Sequence, residues 1–457
     1  MTITLTDQQA EGLEKVKAWY PMSGQGTWAP PFRWFGYAGT GKTFTAARIP
    51  EALGLSNVVF GTYTGKAASV LRKSLARYGV DAPVTTIHSA IYMPTTSKEA
   101  REALDLARDE LSRYQEMYDQ AMTLADPHRT QYVIEQGWAG PMELAGALSE
   151  VSESIPQLET NARRLRFEFN PESEWAYADL IILDEVSMVN AKMAADIESY
   201  GVPVLVLGDP AQLPPVEGGG YYTEATPDHL LTEIQRAALD SPVTRLATRV
   251  RQSTSDRLGL TRDDLEPASV TAAEKADVVL VWTNKRRWSM VHAIRRKRFD
   301  MRDPADLSRP LAGDTVMVLT NNKDAAVFNG ELFTVREVTA DDLGYRLTVV
   351  SDIGVERPLT VWKDGFEGLE AQQRAKHSGM GMKGERVLAT FGQAITVHKA
   401  QGSEWPHVYV VNETAGMLAS VAKREGAGAA LSQGRAWLYT AVTRASERVT
   451  IAQPPRR

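Results

Sequence analysis

The segment Gly36-Tyr-Ala-Gly-Thr-Gly41-Lys42-Thr43 constrains the fold of this chain more than any other. It satisfies G-x-x-x-x-G-K-[ST] in full, a pattern that works in one local setting: a buried strand that turns through a glycine loop into a helix. Gly36, Gly39 and Gly41 let the loop curl so that its amides, Thr40 included, face a phosphate group, and the helix offers its positive end to the same anion. Lys42 is expected to reach the outer phosphates of ATP and Thr43 to hold Mg²⁺.

Such a loop needs a carboxylate on a neighbouring strand. Leu180-Ile-Ile-Leu183-Asp184-Glu185 supplies it, because four apolar residues read as a buried parallel strand with two acids at its end. Asp184 is expected at the magnesium ion, and Glu185 is placed to polarise the attacking water as general base. A third strand ends in Val204-Leu-Val-Leu207-Gly208-Asp209-Pro-Ala-Gln212. A neutral amide there can donate to a phosphate and accept from water, so Gln212 is either a sensor of hydrolysis or a polar turn residue.

A chain of 457 residues predicts roughly two to four domains. Its net charge of −6 excludes a uniformly basic surface but not a local groove, as the run Lys285–Arg298 (KRRWSMVHAIRRKR) illustrates. With no cysteine, disulfides, thiolate catalysis and cysteine-ligated metals are excluded. No apolar run approaches ~18 residues, and the N-terminus is polar, so no membrane partner is expected and the expected location is cytoplasmic.

An ATPase becomes a motor when a second domain closes on the nucleotide with a positive charge. Arg444, in Leu438-Tyr-Thr-Ala-Val-Thr-Arg444-Ala445, and Arg236, in Leu231-Thr-Glu-Ile-Gln-Arg236, are the candidates. The ordered set of Leu5-Thr-Asp-Gln-Gln9, GYAGTGKT, Tyr63-Thr-Gly-Lys-Ala-Ala68, Thr86-Ile-His-Ser89, LDEVSMV, LGDPAQLPPV, LTEIQR, TVHKAQGSE and LYTAVTRA spans residues 5–445. It resembles the superfamily 1 (subclass B) DNA helicases of the RecD/Dda type.

That resemblance implies an α/β fold with two RecA-like P-loop domains that sandwich ATP. Gln9 matches the adenine-reading glutamine, Glu404 a residue near the ribose, and Arg236 and Arg444 the arginines that reach the γ-phosphate. Thr64, Lys66 and His88 from the first domain, and Thr396, His398 and Lys399 from the second, match segments that touch the nucleic-acid backbone. Their hydroxyls, amines and imidazoles suit phosphate positioning without sequence readout. Lys66 can also be read as a helix-capping cation and His88 as a satisfied core histidine. Asn284, with Arg286 and Arg287, resembles another family element after the strand Asp277–Val281; Trp282 there either stacks on a base or belongs to the core.

Two stretches fall outside the RecA-like cores. Leu104, Ala107, Leu111, Tyr114, Tyr118, Ala121 and Ala125 follow a 3–4 spacing, and so do Leu144, Leu148, Val151, Ile155, Leu158, Ala162 and Leu165. They predict an antiparallel helical hairpin where relatives carry a strand-separating pin, usually a short β-hairpin; it either guides duplex, docks a replication or repair protein, or is decoration. Thr315–Leu319, Leu332–Val335 and Tyr345–Val350 read as strands of a small β-barrel, which matches the SH3-like insertion of the family. Gln372–Gly384 reads as a mobile loop. The expected domains are 1–95 with 174–230, a hairpin at 96–173, a barrel at 311–385, and a second RecA-like domain at 231–310 with 386–457. The function this implies is an ATP-dependent DNA helicase that moves 5′ to 3′ on single strands and on tailed duplexes. The alternatives are a nucleic-acid-stimulated ATPase that displaces bound proteins, and the motor subunit of a larger complex.

Overall fold

The computed structural model describes residues 5–23, 30–96, 98–163, 165–214, 220–235, 241–322, 324–351 and 354–453. The chain forms two compact units, one of them Tyr92–Asn170 and the other the remainder.

The larger unit opens with strands β1 (Phe32–Gly36), β2 (Val58–Thr62) and β3 (Val84–Thr86). Strands β4 (Tyr92–Thr96) and β5 (Leu165–Phe169) belong to the smaller unit, after which come β6 (Leu180–Asp184), β7 (Val204–Gly208) and β8 (His229–Leu231). The first sheet has the order β3-β2-β6-β7-β1-β8, and every pairing is parallel. In β2, β6 and β7 every residue is buried, which an all-parallel sheet covered on both faces requires. The helix Gly65–Arg77 shows how the cover is built. Thr64 caps it by accepting from the Ala67 amide, and Ala67, Ala68, Leu71 and Leu75 bury one stripe.

A second all-parallel sheet, in the order β17-β10-β18-β19-β9, carries the other lobe. Its strands are β9 (Leu265–Pro267), β10 (Val278–Val281), β17 (Ala394–Thr396), β18 (Trp405–Val411) and β19 (Ala445–Gln453). Trp282 packs against this lobe's core and its amide donates to Glu413 at 2.8 Å, which favours the core reading of that side chain.

Between β10 and β17 lies a third sheet, ordered β15-β14-β13-β12-β11-β16. Strands β11 (Thr315–Val318), β12 (Leu332–Asp341), β13 (Gly344–Ser351) and β14 (Glu356–Trp362) form an antiparallel meander. Strands β15 (Arg386–Val387) and β16 (Ala389–Phe391) occupy its two opposite edges. Only Leu388 separates them, so the sheet curls into a partly closed barrel. The sheet therefore runs through Phe391, past the expected limit of 385. The expected loop Gln372–Gly384 begins as part of the helix Leu369–His377, and its Gly381 and Gly384 carbonyls accept from the Asn322 amide.

The basic helix Asn284–Arg298 is not simply solvated. Arg295 and Asp314 have fully buried side chains joined by bonds of 2.9 and 3.0 Å, and Arg287 is 2% exposed. The first lobe runs beyond the expected limit of 230: β8 ends at Leu231, and Gln235 still donates to Gly39 at 2.9 Å.

The smaller unit is a helical hairpin, Lys98–Met122 against Pro141–Arg163, with a short helix His128–Glu135 between the arms. Ala121, Val133 and Leu144 form its core, and Arg108 pairs with Glu159 at 2.7 Å. At its base β4 and β5 pair as an antiparallel ribbon from Tyr92↔Phe169 to Thr96↔Leu165. The expected boundary at 96 missed this ribbon. The expected helical hairpin thus comes with a β-ribbon, which the apolar spacing did not predict.

Candidate nucleotide site and strand-contact surface

Parallel α/β sheets bind ligands beyond the carboxyl ends of their strands, and the candidate nucleotide residues meet there in the first lobe. The loop after β1 leads into the helix Lys42–Ala46. Gly41, at its N-cap, has φ of 82°, and a Cβ there would stand 2.6 Å from Nε2 of Gln9, so glycine is required on two counts. Lys42 Nζ donates to the Gly36 carbonyl at 2.7 Å and to that of Tyr37 at 3.2 Å. Thr43 Oγ1 donates to Asp184 Oδ2 at 3.2 Å. The β2–β6 register carries Asp184 to the end of the sheet opposite Thr62.

Burial, and then Glu185 beside it, push the Asp184 carboxyl up to about 6 against the opposing pull of Lys42. Glu185 sits in the left-handed region at φ of 56°, with its amide donating to Asp184 Oδ1 at 2.8 Å. Gln212 is almost fully buried, and its Oε1 has no hydrogen-bond partner, a free acceptor of the kind a water-ordering amide provides. Gln9 is 1% exposed; it donates to the Thr40 carbonyl at 3.1 Å and accepts from the Thr6 amide at 3.1 Å. It braces the phosphate loop.

Three groups that carry no role in the sequence reading, although they lie in its quoted motifs, tie this site to the second lobe. The Tyr439 hydroxyl donates to Asp209 Oδ2 at 2.7 Å and accepts from the Ala38 amide of the phosphate loop at 3.0 Å. Thr440 Oγ1 accepts from the Leu213 amide at 2.9 Å, and Gln401 Nε2 donates to the Leu213 carbonyl at 2.9 Å. Burial raises the Asp209 carboxyl, countered by Lys42 and by Tyr439. Tyr439 and Thr440 lie within the LYTAVTRA segment, which was read only for its cation.

Arg444, 6% exposed, donates to the Thr440 and Ser403 carbonyls and to the Thr443 hydroxyl, all in the second lobe. Glu404 is exposed just before β18. Arg236 lies outside the described residues.

The candidate strand contacts come from both lobes. Lys66 Nζ stands 4.4 Å from the ring centre of Trp405 in the second lobe. The Thr64 hydroxyl is engaged as a helix cap. Thr396 precedes the helix Val397–Ala400 without using its hydroxyl as a cap. Burial pushes the imidazoles of His88 and His398 down, towards the neutral form. Lys399 donates to Asn329 of the barrel at 3.0 Å. Asn284 is exposed at the start of its helix.

Residues 32–264 match the AAA domain family, and residues 391–452 match the UvrD-like helicase C-terminal domain. The chain is similar to the ATP-dependent RecD2 DNA helicase of Deinococcus radiodurans, with 29% identity over 296 residues, or 59% of this chain and 36% of that protein. It thus spans about a third of that relative's length. Among solved structures, Bacteroides Pif1 bound to single-stranded DNA aligns with a TM-score of 0.51 at 17% identity, over 98% of this chain and 92% of that one. The Bacteroides Pif1 helicase in complex with ADP-AlF3 and single-stranded DNA gives 0.50 at 17% identity, with the same coverages. Among the described residues no helix is long and apolar enough to cross a membrane.

Proposed function

We propose that this chain, which belongs to the AAA domain family, is a superfamily 1 helicase of the RecD/Pif1 type, an ATP-driven motor that moves 5′ to 3′ along single-stranded DNA and separates the duplex ahead of it; its likeness to a RecD2 helicase and to the UvrD-like helicase C-terminal domain supports this reading. The observation that carries this reading is the buried set of bonds from Tyr439 to Ala38 and Asp209, and from Thr440 and Gln401 to Leu213. A nucleotide loop with this second lobe bonded to it cannot change shape without passing the change on. The second lobe carries the strand-contact candidates Thr396, His398 and Lys399.

In this reading ATP lies at the phosphate loop with Lys42 on its outer phosphates and Gln9 at its base. Thr43 and Asp184 suit Mg²⁺, because their oxygens stand 3.2 Å apart, near the edge of about 3 Å in an oxygen octahedron with ~2.1 Å bonds. The ion would supply charge neutralisation at the phosphates. Glu185 accepts the proton of the attacking water and Gln212 orients it. Arg444 supplies positive charge from the second lobe, likeness to the RecD/Dda type gives Arg236 the same role, and Glu404 lies towards the ribose. Thr64, Lys66, His88 and Asn284 hold the strand together with the Thr396–Lys399 segment, through backbone contacts that carry no sequence information. The 5′ to 3′ direction follows from likeness to the RecD/Dda type.

Steady-state ATP hydrolysis with and without single-stranded oligonucleotide tests the coupling. Strong stimulation by the strand is expected. Tyr439→Phe, which leaves buried Asp209 short of one charge-assisted bond, should lose about tenfold or more of the stimulated rate. Stimulation of the variant equal to wild type would contradict the coupling role. Absence of stimulation in the wild type would contradict the motor.

A further inference from the structure

We propose that the barrel tip at Phe328 and Asn329 is a nucleotide subsite of the strand channel, where the Phe328 ring stacks on a base and Lys399, beside Asn329, meets a phosphate. This deepens the motor reading and rests on it. Two adjacent barrel residues touch the strand-contact segments of both lobes. A Cβ added to Gly65, in the Thr64–Lys66 segment, would lie 2.5 Å from Cβ of Phe328. Asn329 Oδ1 accepts from Lys399 of the other segment at 3.0 Å.

The tip is a built element. Asn322 and Val327 exchange backbone bonds of 2.9 and 3.0 Å. The Phe328 amide donates to Glu331 at 2.9 Å, and that of Asn329 donates to the Asn321 side chain at 2.8 Å. A fixed platform loses little freedom when it binds. Yet this frame presents to water a phenylalanine that is 41% exposed, and a base has a π-face that such a ring can cover irrespective of sequence.

The charges agree. Burial, then Lys376 and Arg287, hold the Lys399 ammonium down to about 8. Arg287 is 2% exposed, and its Nε has no hydrogen-bond partner. Two cations acting on Lys399 are relieved by an anion, and a polynucleotide supplies a phosphate one sugar away from each base.

The test is a binding titration of wild type, Phe328→Ala and Phe328→Trp with two labelled single strands of equal length, one of thymidine and one abasic. Loss of stacking should weaken Phe328→Ala on thymidine roughly 5- to 100-fold, with Phe328→Trp restoring affinity. On the abasic strand Phe328→Ala should match wild type. Equal affinity of Phe328→Ala and wild type on thymidine would overturn the subsite, and so would an equal loss on both strands, which marks a structural ring. Wild type that binds neither strand would instead overturn the motor reading.

Discussion

Lys42→Ala is expected to hydrolyse ATP about 10²–10³-fold more slowly and to displace no strand, while its affinity for single-stranded DNA stays within about threefold of wild type. Lys42 is the ammonium of the phosphate loop, and it donates to the Gly36 and Tyr37 carbonyls. Hydrolysis concentrates negative charge on the outer phosphates, so a fixed cation is worth more in the transition state than in the bound ground state. The loop keeps its shape without that side chain. Gln9 holds the Thr40 carbonyl and the Gln235 amide holds the Gly39 carbonyl. The proposed strand contacts lie on other segments, which is why binding should survive. Hydrolysis within about threefold of wild type would contradict this assignment.

Arg295→Met is expected to destabilise the larger unit by about 3–5 kcal/mol. Arg295 and Asp314 are both fully buried, and the guanidinium also reaches the Leu307 and Arg309 carbonyls. Asp314 further accepts from the Leu311 amide and from Gln393. Removing the cation strands a carboxylate where water cannot reach it. By contrast, the exposed Arg249 paired with Asp264 should contribute no more than ~1 kcal/mol. Burial already raises the Asp314 carboxyl, and Arg295 opposes that rise. In the variant the folded-state value goes higher still. As pH rises above the unfolded value of about 3.9, the unfolded chain ionises first and gains on the folded one. The deficit should therefore be larger at pH 8 than at pH 5. Urea unfolding at both pH values measures it, and a loss below about 1 kcal/mol at pH 8 would contradict the account.

These two residues show what a sequence can reveal. Lys42 was legible because a phosphate loop is a local device: its glycines, cation and hydroxyl must follow one another within eight positions. Asp184 was legible for a related reason, since a strand apolar throughout and ending in acids is already a recognisable edge. Arg295 sat in a run of cations that reads as a solvated face, and nothing near it announces that Asp314 will bury it. Tyr439 is hidden in the same way, because its partner Asp209 lies 230 positions away. The helical hairpin was visible from its apolar period. Its ribbon of five-residue strands was not, since Tyr92–Thr96 carries a proline and no alternation. Lys66 could be read as a cation near phosphate, but only folding brings the Trp405 ring beneath it.

The central claim is that ATP hydrolysis in the first lobe drives directed movement along a strand. Displacement of a labelled strand from duplexes bearing a single-stranded 5′ tail or 3′ tail, in the presence of ATP, tests it most directly. The account predicts displacement from the 5′-tailed duplex, none from the 3′-tailed one, and none from either with Lys42→Ala. Preference for the 3′ tail would contradict the direction, and ATP hydrolysis stimulated by DNA without displacement from either duplex would contradict the helicase.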